Sequence, residues 1–133
     1  MNIPNFHDGY FDGLWLGSDK LVRIFLRTCD QHSYILTLQG VQALAVSGVR
    51  AGNIILDLVF RSARDITSSD VQDLYDVDSS TEQATKLLKS TREKDLQILE
   101  LNPSYGAQGL LLFETCEINE TTDKMAASVP STR

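Results

Sequence analysis

An alternation of apolar and other side chains after residue 52 constrains the fold more than any other feature of the sequence. Every second residue of this stretch is apolar, namely Ile54, Leu56, Leu58 and Phe60. Successive side chains of a β-strand point to opposite faces of a sheet, so this spacing predicts a strand with these side chains on the core. The intervening positions mix polar and apolar residues, which indicates a partly wetted opposite face.

Similar runs precede this stretch and are separated by turn-forming residues. In the run over residues 21–28, Val22, Ile24 and Leu26 share one face, which is therefore a predicted core face. Phe11 and Trp15 share one side of the first run and are predicted core residues as well. Spacings of about 8–12 residues between runs are typical of antiparallel sheets. The strands predicted in this part of the chain span residues 10–16, 21–28, 33–38, 41–47 and 53–60.

The pattern changes to one of short helices after Arg61. Residues 68–70 offer N-cap side chains for a helix over residues 71–75,. Residues 79–82 open a second helix, which is predicted to end near Lys89. Acidic residues lie early in this helix and lysines late, as the helix dipole favours. We expect the helical stretch to be an insertion or a cover for one face of the sheet.

Strand character returns in the last third of the chain. Residues 96–101 and 109–118 are predicted to form a hairpin around a turn at residues 102–106, which contains proline and glycine,. The whole pattern predicts an α+β fold that is mainly β: an antiparallel sandwich or strongly curved sheet of about seven strands, with one or two helices inserted before the last hairpin. Residues 1–118 are predicted to form a single domain, and the polar, unpatterned residues 119–133 a disordered tail,.

The charge of the chain and the spacing of its cysteines argue against several classes of function. The formal net charge is −6 and the basic residues are scattered, which argues against binding to nucleic acid and allows a basic partner,. Apolar stretches are too short to span a bilayer and no leader-like segment stands at the start, so we expect a soluble cytoplasmic protein without a membrane partner. Cys29 and Cys116 show no metal-binding or redox spacing. We therefore expect thiols, no metal and no cofactor, although a disulfide between the two cysteines stays open.

The densest group of reactive side chains lies near the N-terminus. His7 and Asp8, with Asp12 close by, could bind a metal ion or move a proton,. Neighbouring side chains on an extended chain point in opposite directions, however, so His7 and Asp8 do not easily share one ion. The alternative is that they tie down the N-terminal strand through hydrogen bonds.

Two further residues are candidates for binding a ligand or a partner. Asn53 stands at the start of a strand, where its amide could enter a pocket or could serve a turn. Tyr105 lies at the predicted hairpin tip, where an exposed ring suits recognition and where its hydroxyl could instead bond back to the backbone. Alternating charges could also line a wet sheet face or a docking surface, namely Asp12, Arg23, Arg27 and Asp57.

Short motifs carry a resemblance to known proteins. Phe6-His7-Asp8-Gly9-Tyr10, Gly52-Asn53-Ile54-Ile55 and Pro103-Ser104-Tyr105-Gly106 together resemble a small bacterial domain family of uncharacterised function. The N-terminal Phe6-His7-Asp8 ahead of a β meander is also similar to some immunity proteins of bacterial toxin systems. This second resemblance implies a binder that neutralises a toxin, and an acidic surface would suit a basic nuclease.

The residues do not identify one function by themselves, and several classes stay open. The favoured function is a non-catalytic binding or protein-interaction module, with an immunity-like role as its particular form. The alternatives are a small-ligand- or metal-binding protein, or an unrecognised enzyme, with a site near the N-terminal His-Asp pair, and a homo-oligomer that uses its mixed sheet face. No catalytic residue is assigned, and the candidate binding residues are His7, Asp8, Asp12, Asn53 and Tyr105.

Overall fold

A computed structural model describes residues 2–121 of the chain. These residues form eight strands and two α-helices, which confirms the predicted α+β fold that is mainly β. A short 3₁₀ turn, Ala63–Asp65, precedes the helices. In chain order the elements are β1 (Tyr10–Leu16), β2 (Val22–Arg27), β3 (Ser33–Gln39), β4 (Ala43–Ser47), β5 (Asn53–Ser62), α1 (Ser68–Tyr75), α2 (Glu82–Arg92), β6 (Gln97–Tyr105), β7 (Gln108–Phe113) and β8 (Thr115–Thr121).

The strands form one antiparallel sheet in the order β4-β7-β6-β5-β1-β2-β3-β8. β3 and β4 follow one another along the chain, as do β7 and β8, and the chain bends between the two members of each pair. The pairing continues across this bend, because Gln39 lies opposite Thr115 and Ala43 lies opposite Leu112. The sheet is not closed. Its two ends are nevertheless formed by the same two bent segments, because β4 lies beside β7 at one end and β3 lies beside β8 at the other. The sheet is therefore strongly curved, as predicted.

The concave side of the sheet holds the main core. Val22, Ile24 and Leu26 are buried there, which confirms the core face predicted for β2. Phe6 from the N-terminal segment is also buried, and its ring meets that of Tyr34 edge-on at 5.6 Å. Other buried members of this core are Phe11, Leu36, Leu38, Val41, Ile55, Leu99, Leu101, Ala107, Leu111 and Phe113.

The two helices cover the convex side of the sheet over β4, β7 and β6. Val71 and Leu74 of α1 share a second core with Ile98 and Leu112 of the sheet. This core fixes the position of α1 against the strands, since fully buried apolar side chains contribute about 1.5–3 kcal/mol each. Within residues 2–121, neither helix is both long and apolar enough to cross a membrane.

The caps of the helices correct the predicted boundaries. The N-cap of α1 is Thr67 rather than one of residues 68–70. The Thr67 hydroxyl accepts a hydrogen bond from the N–H of Asp70 at 3.1 Å, and the Asp70 carboxylate accepts one from the N–H of Thr67 at 2.9 Å. This reciprocal capping box satisfies two N–H groups that a helix start leaves unpaired. α2 begins after Thr81 and ends at Arg92, beyond the predicted end near Lys89.

Two irregularities in the strands change which face some of the predicted core side chains occupy. The pairing of β1 with β2 shifts between Phe11 and Gly13, so Phe11 is buried whereas Trp15 is 43% exposed, and the prediction of Trp15 as a core residue is wrong. The pairing of β5 with β6 shifts on both sides of Ile55. Ile55 is therefore buried and Leu56 is exposed, the opposite of the predicted arrangement, whereas Leu58 and Phe60 pack against the main core as predicted. One inserted residue exchanges the two faces of the strand beyond it.

The last part of the chain also differs from its prediction. β6 continues to Tyr105, so most of the predicted turn at residues 102–106 is strand, and the reversal falls at Gly106 and Ala107. Pro103 is tolerated because it lies at the irregular pairing opposite Ile55,. β8 extends to Thr121, past the predicted start of the tail at residue 119. The rest of that predicted tail, residues 122–133, lies outside the described residues.

Candidate functional site

The N-terminal His-Asp pair holds a turn against β5. The Nδ1 atom of His7 lies 2.8 Å from the carbonyl oxygen of Leu56, and because a carbonyl only accepts, Nδ1 carries the proton,. The backbone N–H of Asp8 donates to the carbonyl of Ile55 at 2.9 Å. The remaining ring nitrogen of His7 lies 3.5 Å from the Asp8 carboxylate, and both side chains are exposed. Within residues 2–121 no group of three or more His, Cys, Asp or Glu side chains could hold a metal ion.

Asn53 is buried and acts as a hydrogen-bonding hub. Its Oδ1 accepts the backbone N–H of Arg50 at 2.7 Å and that of Ala107 at 3.0 Å. Its Nδ2 donates to the carbonyl of Arg50 at 2.8 Å and lies 3.4 Å from that of Phe11. An amide offers two donors and an acceptor with two lone pairs, so these contacts use its capacity. Asn53 therefore joins the β4–β5 loop, β1 and the β6–β7 turn through hydrogen bonds within the protein.

Asp12 and Tyr105 lie at the surface but do not meet. The Asp12 carboxylate accepts two hydrogen bonds from Arg27, at 2.5 and 2.9 Å, and the guanidinium of Arg27 lies 4.4 Å from the ring centroid of Tyr10. Tyr105 is 54% exposed at the end of β6, opposite Ile54. The candidate residues thus lie around the starts of β1 and β5, where His7, Asp12 and Asn53 make hydrogen bonds within the protein, and their role in binding stays a prediction.

A polar cleft of about 610 Å³ lies elsewhere, between α1 and the convex side of β4, β7, β6 and β5. None of the residues singled out from the sequence lines it. α1 and the C-cap residue that follows it form one wall with Asp70, Asp73 and Asp76, and the strands form the floor with Arg61 and Glu100. The cleft therefore holds four carboxylates and a single guanidinium.

Arg61 is neutralised within the cleft. Its guanidinium donates to both carboxylate oxygens of Asp70, at 3.0 and 3.1 Å, and its Nε donates to Glu100. These hydrogen bonds raise the pKa of Arg61 above its usual value. Burial alone would raise the pKa of Asp70, but the hydrogen bonds from Arg61 and Thr67 outweigh it and hold that pKa below its usual value,. Arg61 and Asp70 therefore both stay ionised at neutral pH.

The other two carboxylates of the cleft belong to Asp73 and Asp76, and no basic side chain among residues 2–121 pairs with them. Both residues are exposed. Asn102 donates its amide to Asp57 at 2.8 Å beside the cleft. Carboxylates that are exposed and unpaired bind guanidinium and ammonium groups through charge-assisted hydrogen bonds. The cleft is therefore suited to a positively charged group.

Comparison of the chain with known proteins gives no match. No protein-family model, no curated protein and no solved structure matches the chain. The resemblances to a small bacterial family and to immunity proteins thus stay predictions that rest on short motifs. The geometry of the cleft is what supports a function.

Proposed function

We propose that the protein is a non-catalytic interaction module that binds a basic segment of a partner protein in the cleft beside α1. The observation that carries this proposal is the excess of carboxylates over basic groups in a concave, polar surface. Concave surfaces with convergent polar groups are the usual form of binding sites. In this arrangement Asp73 and Asp76 would accept hydrogen bonds from arginine or lysine side chains of the partner.

The contacts of Arg61 in the floor of the cleft keep it away from Asp73 and Asp76. These two carboxylates therefore stay open to a cation of a partner. Arg61 lies between Asp70 and Glu100, which fill its donor groups and fix its position. It cannot swing out to neutralise Asp73 or Asp76 without leaving two largely buried carboxylates unpaired, which costs several kcal/mol. The negative potential of the cleft is therefore permanent, and it would speed the approach of a basic partner.

The wall of the cleft is rigid, which lowers the entropy cost of binding. α1 is capped at Thr67 and its apolar side is packed on the sheet through Val71 and Leu74. Side chains that project from such an anchored helix lose little freedom when a partner binds. A binding surface of this kind needs no reorganisation of the backbone.

A different protein, rather than a second copy of this chain, fits the charge of the cleft. The chain has a formal net charge of −6, so a second copy would bring carboxylates towards carboxylates,. A basic enzyme such as a nuclease has the complementary charge, and its neutralisation would be an immunity-like role in the bacterial cytoplasm. Cys29 and Cys116, which form no disulfide, suit that reducing compartment,.

A labelled peptide of alternating arginine and glycine residues tests the proposal by fluorescence anisotropy. Asp73→Asn/Asp76→Asn should weaken its binding by about 10-fold, which corresponds to about 1.4 kcal/mol. The matched control Glu93→Gln/Glu117→Gln removes the same charge from exposed residues that do not line the cleft, and it should weaken binding by less than about 2-fold,. An equal loss in both variants would mean that the peptide senses only the overall charge, and the proposal would fail.

A further inference from the structure

The part of the sheet that the helices leave uncovered carries an exposed tryptophan stacked against an arginine. Trp15 of β1 lies opposite Arg23 of β2, and the guanidinium carbon of Arg23 is 4.9 Å from the centroid of the Trp15 ring. Trp15 remains 43% exposed, which is unusual for the largest apolar side chain in a protein,. A cation over an aromatic face at this distance is an attractive contact.

The ring of Trp15 also lies close to the backbone of the turn after β1. A Cβ atom on Gly17 would come within 2.5 Å of two ring carbons of Trp15, so only glycine allows the ring to lie this close to the backbone,. The N–H of Gly17 donates to the carbonyl of Leu21 at 2.8 Å, which fixes that stretch of backbone. Trp15 thus contacts Arg23 and lies close to the backbone of Gly17, while nearly half of its surface faces solvent. Such a ring is already in place for a partner to bind.

Arg23 has no ion-pair partner in the part of the chain that the structure describes. Among residues 2–121, no carboxylate lies within ion-pair distance of Arg23. This distinguishes it from Arg27, which binds Asp12, and from Arg61, which binds two carboxylates. The contact with Trp15 engages the guanidinium through an aromatic ring rather than a hydrogen-bond acceptor, so its N–H donors stay available to an acceptor,. A carboxylate accepts two such donors side by side.

We propose that Trp15 and Arg23 form a docking point for an acidic peptide segment of a partner protein. A glutamate or aspartate of the segment accepts the donors of Arg23, and an adjacent apolar side chain packs on the exposed face of Trp15. Tryptophan and arginine are the side chains most enriched at the energetic centres of protein interfaces. This surface lies on β1 and β2, away from the cleft beside α1, and it selects the opposite charge. The two proposals therefore stand or fall separately.

Trp15 is the only tryptophan of the chain, so its fluorescence reports directly on the docking point. The probe is the blocked peptide acetyl-Leu-Glu-Leu-amide, and its matched control is acetyl-Leu-Gln-Leu-amide, which has the same shape without the charge. The glutamate peptide should produce a saturable change in Trp15 fluorescence at constant ionic strength. The glutamine peptide should bind at least about 5-fold more weakly, because it offers the guanidinium no anionic acceptor.

Variants of the protein separate this docking point from general attraction by positive charge. Arg23→Gln should abolish the preference for glutamate over glutamine, and Arg23→Lys should keep only part of it, because lysine lacks the planar fork. Arg64→Gln, which removes an arginine from an exposed turn far from Trp15 in the chain, should leave both affinities unchanged. Circular dichroism of each variant confirms that it is folded.

Three results would overturn the proposal. The first is the absence of a saturable fluorescence change with the glutamate peptide while the wild-type protein is folded. The second is an Arg23→Gln variant that still prefers glutamate. The third is inorganic phosphate that produces the same change at equal concentration, because that would mark a general anion spot rather than a peptide docking point.

Discussion

The side-chain oxygen of Asn53 accepts the backbone N–H of Ala107 at 3.0 Å and so ties the start of β5 to the turn between β6 and β7. The same oxygen would meet a Cβ atom on Gly106, whose φ of 92° already favours glycine,. The Gly52-Asn53-Ile54-Ile55 and Pro103-Ser104-Tyr105-Gly106 motifs are therefore parts of one joint. The amide of Asn53 makes its hydrogen bonds within the protein, so it contributes to the stability of this joint.

Replacing Asn53 with alanine should lower the free energy of unfolding by about 2–4 kcal/mol. The substitution leaves the N–H groups of Arg50 and Ala107 without their acceptor, and an unsatisfied buried donor costs about 1–3 kcal/mol,. Urea denaturation followed by circular dichroism measures the change. A loss below about 1 kcal/mol would show that water replaces the amide at little cost.

Gly106→Ala should destabilise the protein by about 1–3 kcal/mol, because alanine is strained at this positive φ and its Cβ meets the oxygen of Asn53,. In the background of Asn53→Ala the same substitution should cost less, since the steric clash is then gone and only the backbone strain remains. A double-mutant cycle measures this coupling. Strict additivity would contradict the contact between the two residues.

Alternation of side chains predicts where the strands lie, but it fails where a strand carries an extra residue. The predicted bounds of β1 match the observed ones, and the core face of β2 is confirmed. In β1 the irregular pairing at Gly13 turns Leu14 to the core and Trp15 to solvent. Bulges depend on how the partner strand is registered, so a single strand read alone carries no signal for them.

The acidic wall of the cleft could have been predicted from the spacing of its aspartates in the sequence. Asp70 and Asp73 are three residues apart, a spacing that places side chains on one side of a helix, and Asp76 follows three residues later at the C-cap of α1,. The sequence contains no comparable pattern for the residues in the floor of the cleft. Arg61 and Glu100 are separated by 39 residues and meet only because β5 pairs with β6 across the two helices, a partnership that strand patterns do not specify.

The Arg61–Asp70 pair should make stability depend on pH in the acid range. The pKa of Asp70 lies below its usual value of 3.8, so around that pH the folded chain binds fewer protons than the unfolded chain,. The stabilisation is complete above about pH 4–5 and is lost as the pH falls through the pKa of the folded state. Asp70→Asn should therefore cost about 1.5–3 kcal/mol at neutral pH, with a smaller difference from wild type in acid. Urea denaturation over a pH series measures both quantities.

A matched substitution separates this effect from a general change in charge. Asp65→Asn removes one carboxylate from an exposed position on the 3₁₀ turn and should change stability by less than about 0.5 kcal/mol at any pH,. If the difference between wild type and Asp70→Asn stayed constant down to about pH 2, the ion pair with Arg61 would not be the source of the stability.

The turn between β1 and β2 offers a stabilising substitution. Asp19 and Lys20 both have positive φ, 56° and 61°, as the type I′ turn of a tight hairpin requires,. Asn-Gly is the preferred pair in that turn, so Asp19→Asn/Lys20→Gly should raise the free energy of unfolding by about 0.5–1 kcal/mol. Thermal unfolding measures the gain. A loss of stability would mean that the flexibility which glycine adds to the unfolded chain outweighs the relief of strain.

The two cysteines should react with a thiol reagent at very different rates. Cys29 is exposed in the turn between β2 and β3, whereas Cys116 is partly buried and burial raises the pKa of its thiol above 9.0. Because the thiolate is the reactive species, Cys116 should react at least about 10-fold more slowly near pH 8. Colorimetric titration with a disulfide reagent resolves two phases. Cys29→Ser should remove the fast phase and Cys116→Ser the slow one. Unfolding the protein in guanidinium chloride should merge the two phases into one. A protein that shows no reactive thiol until it is reduced would instead contain a disulfide, which the structure does not have.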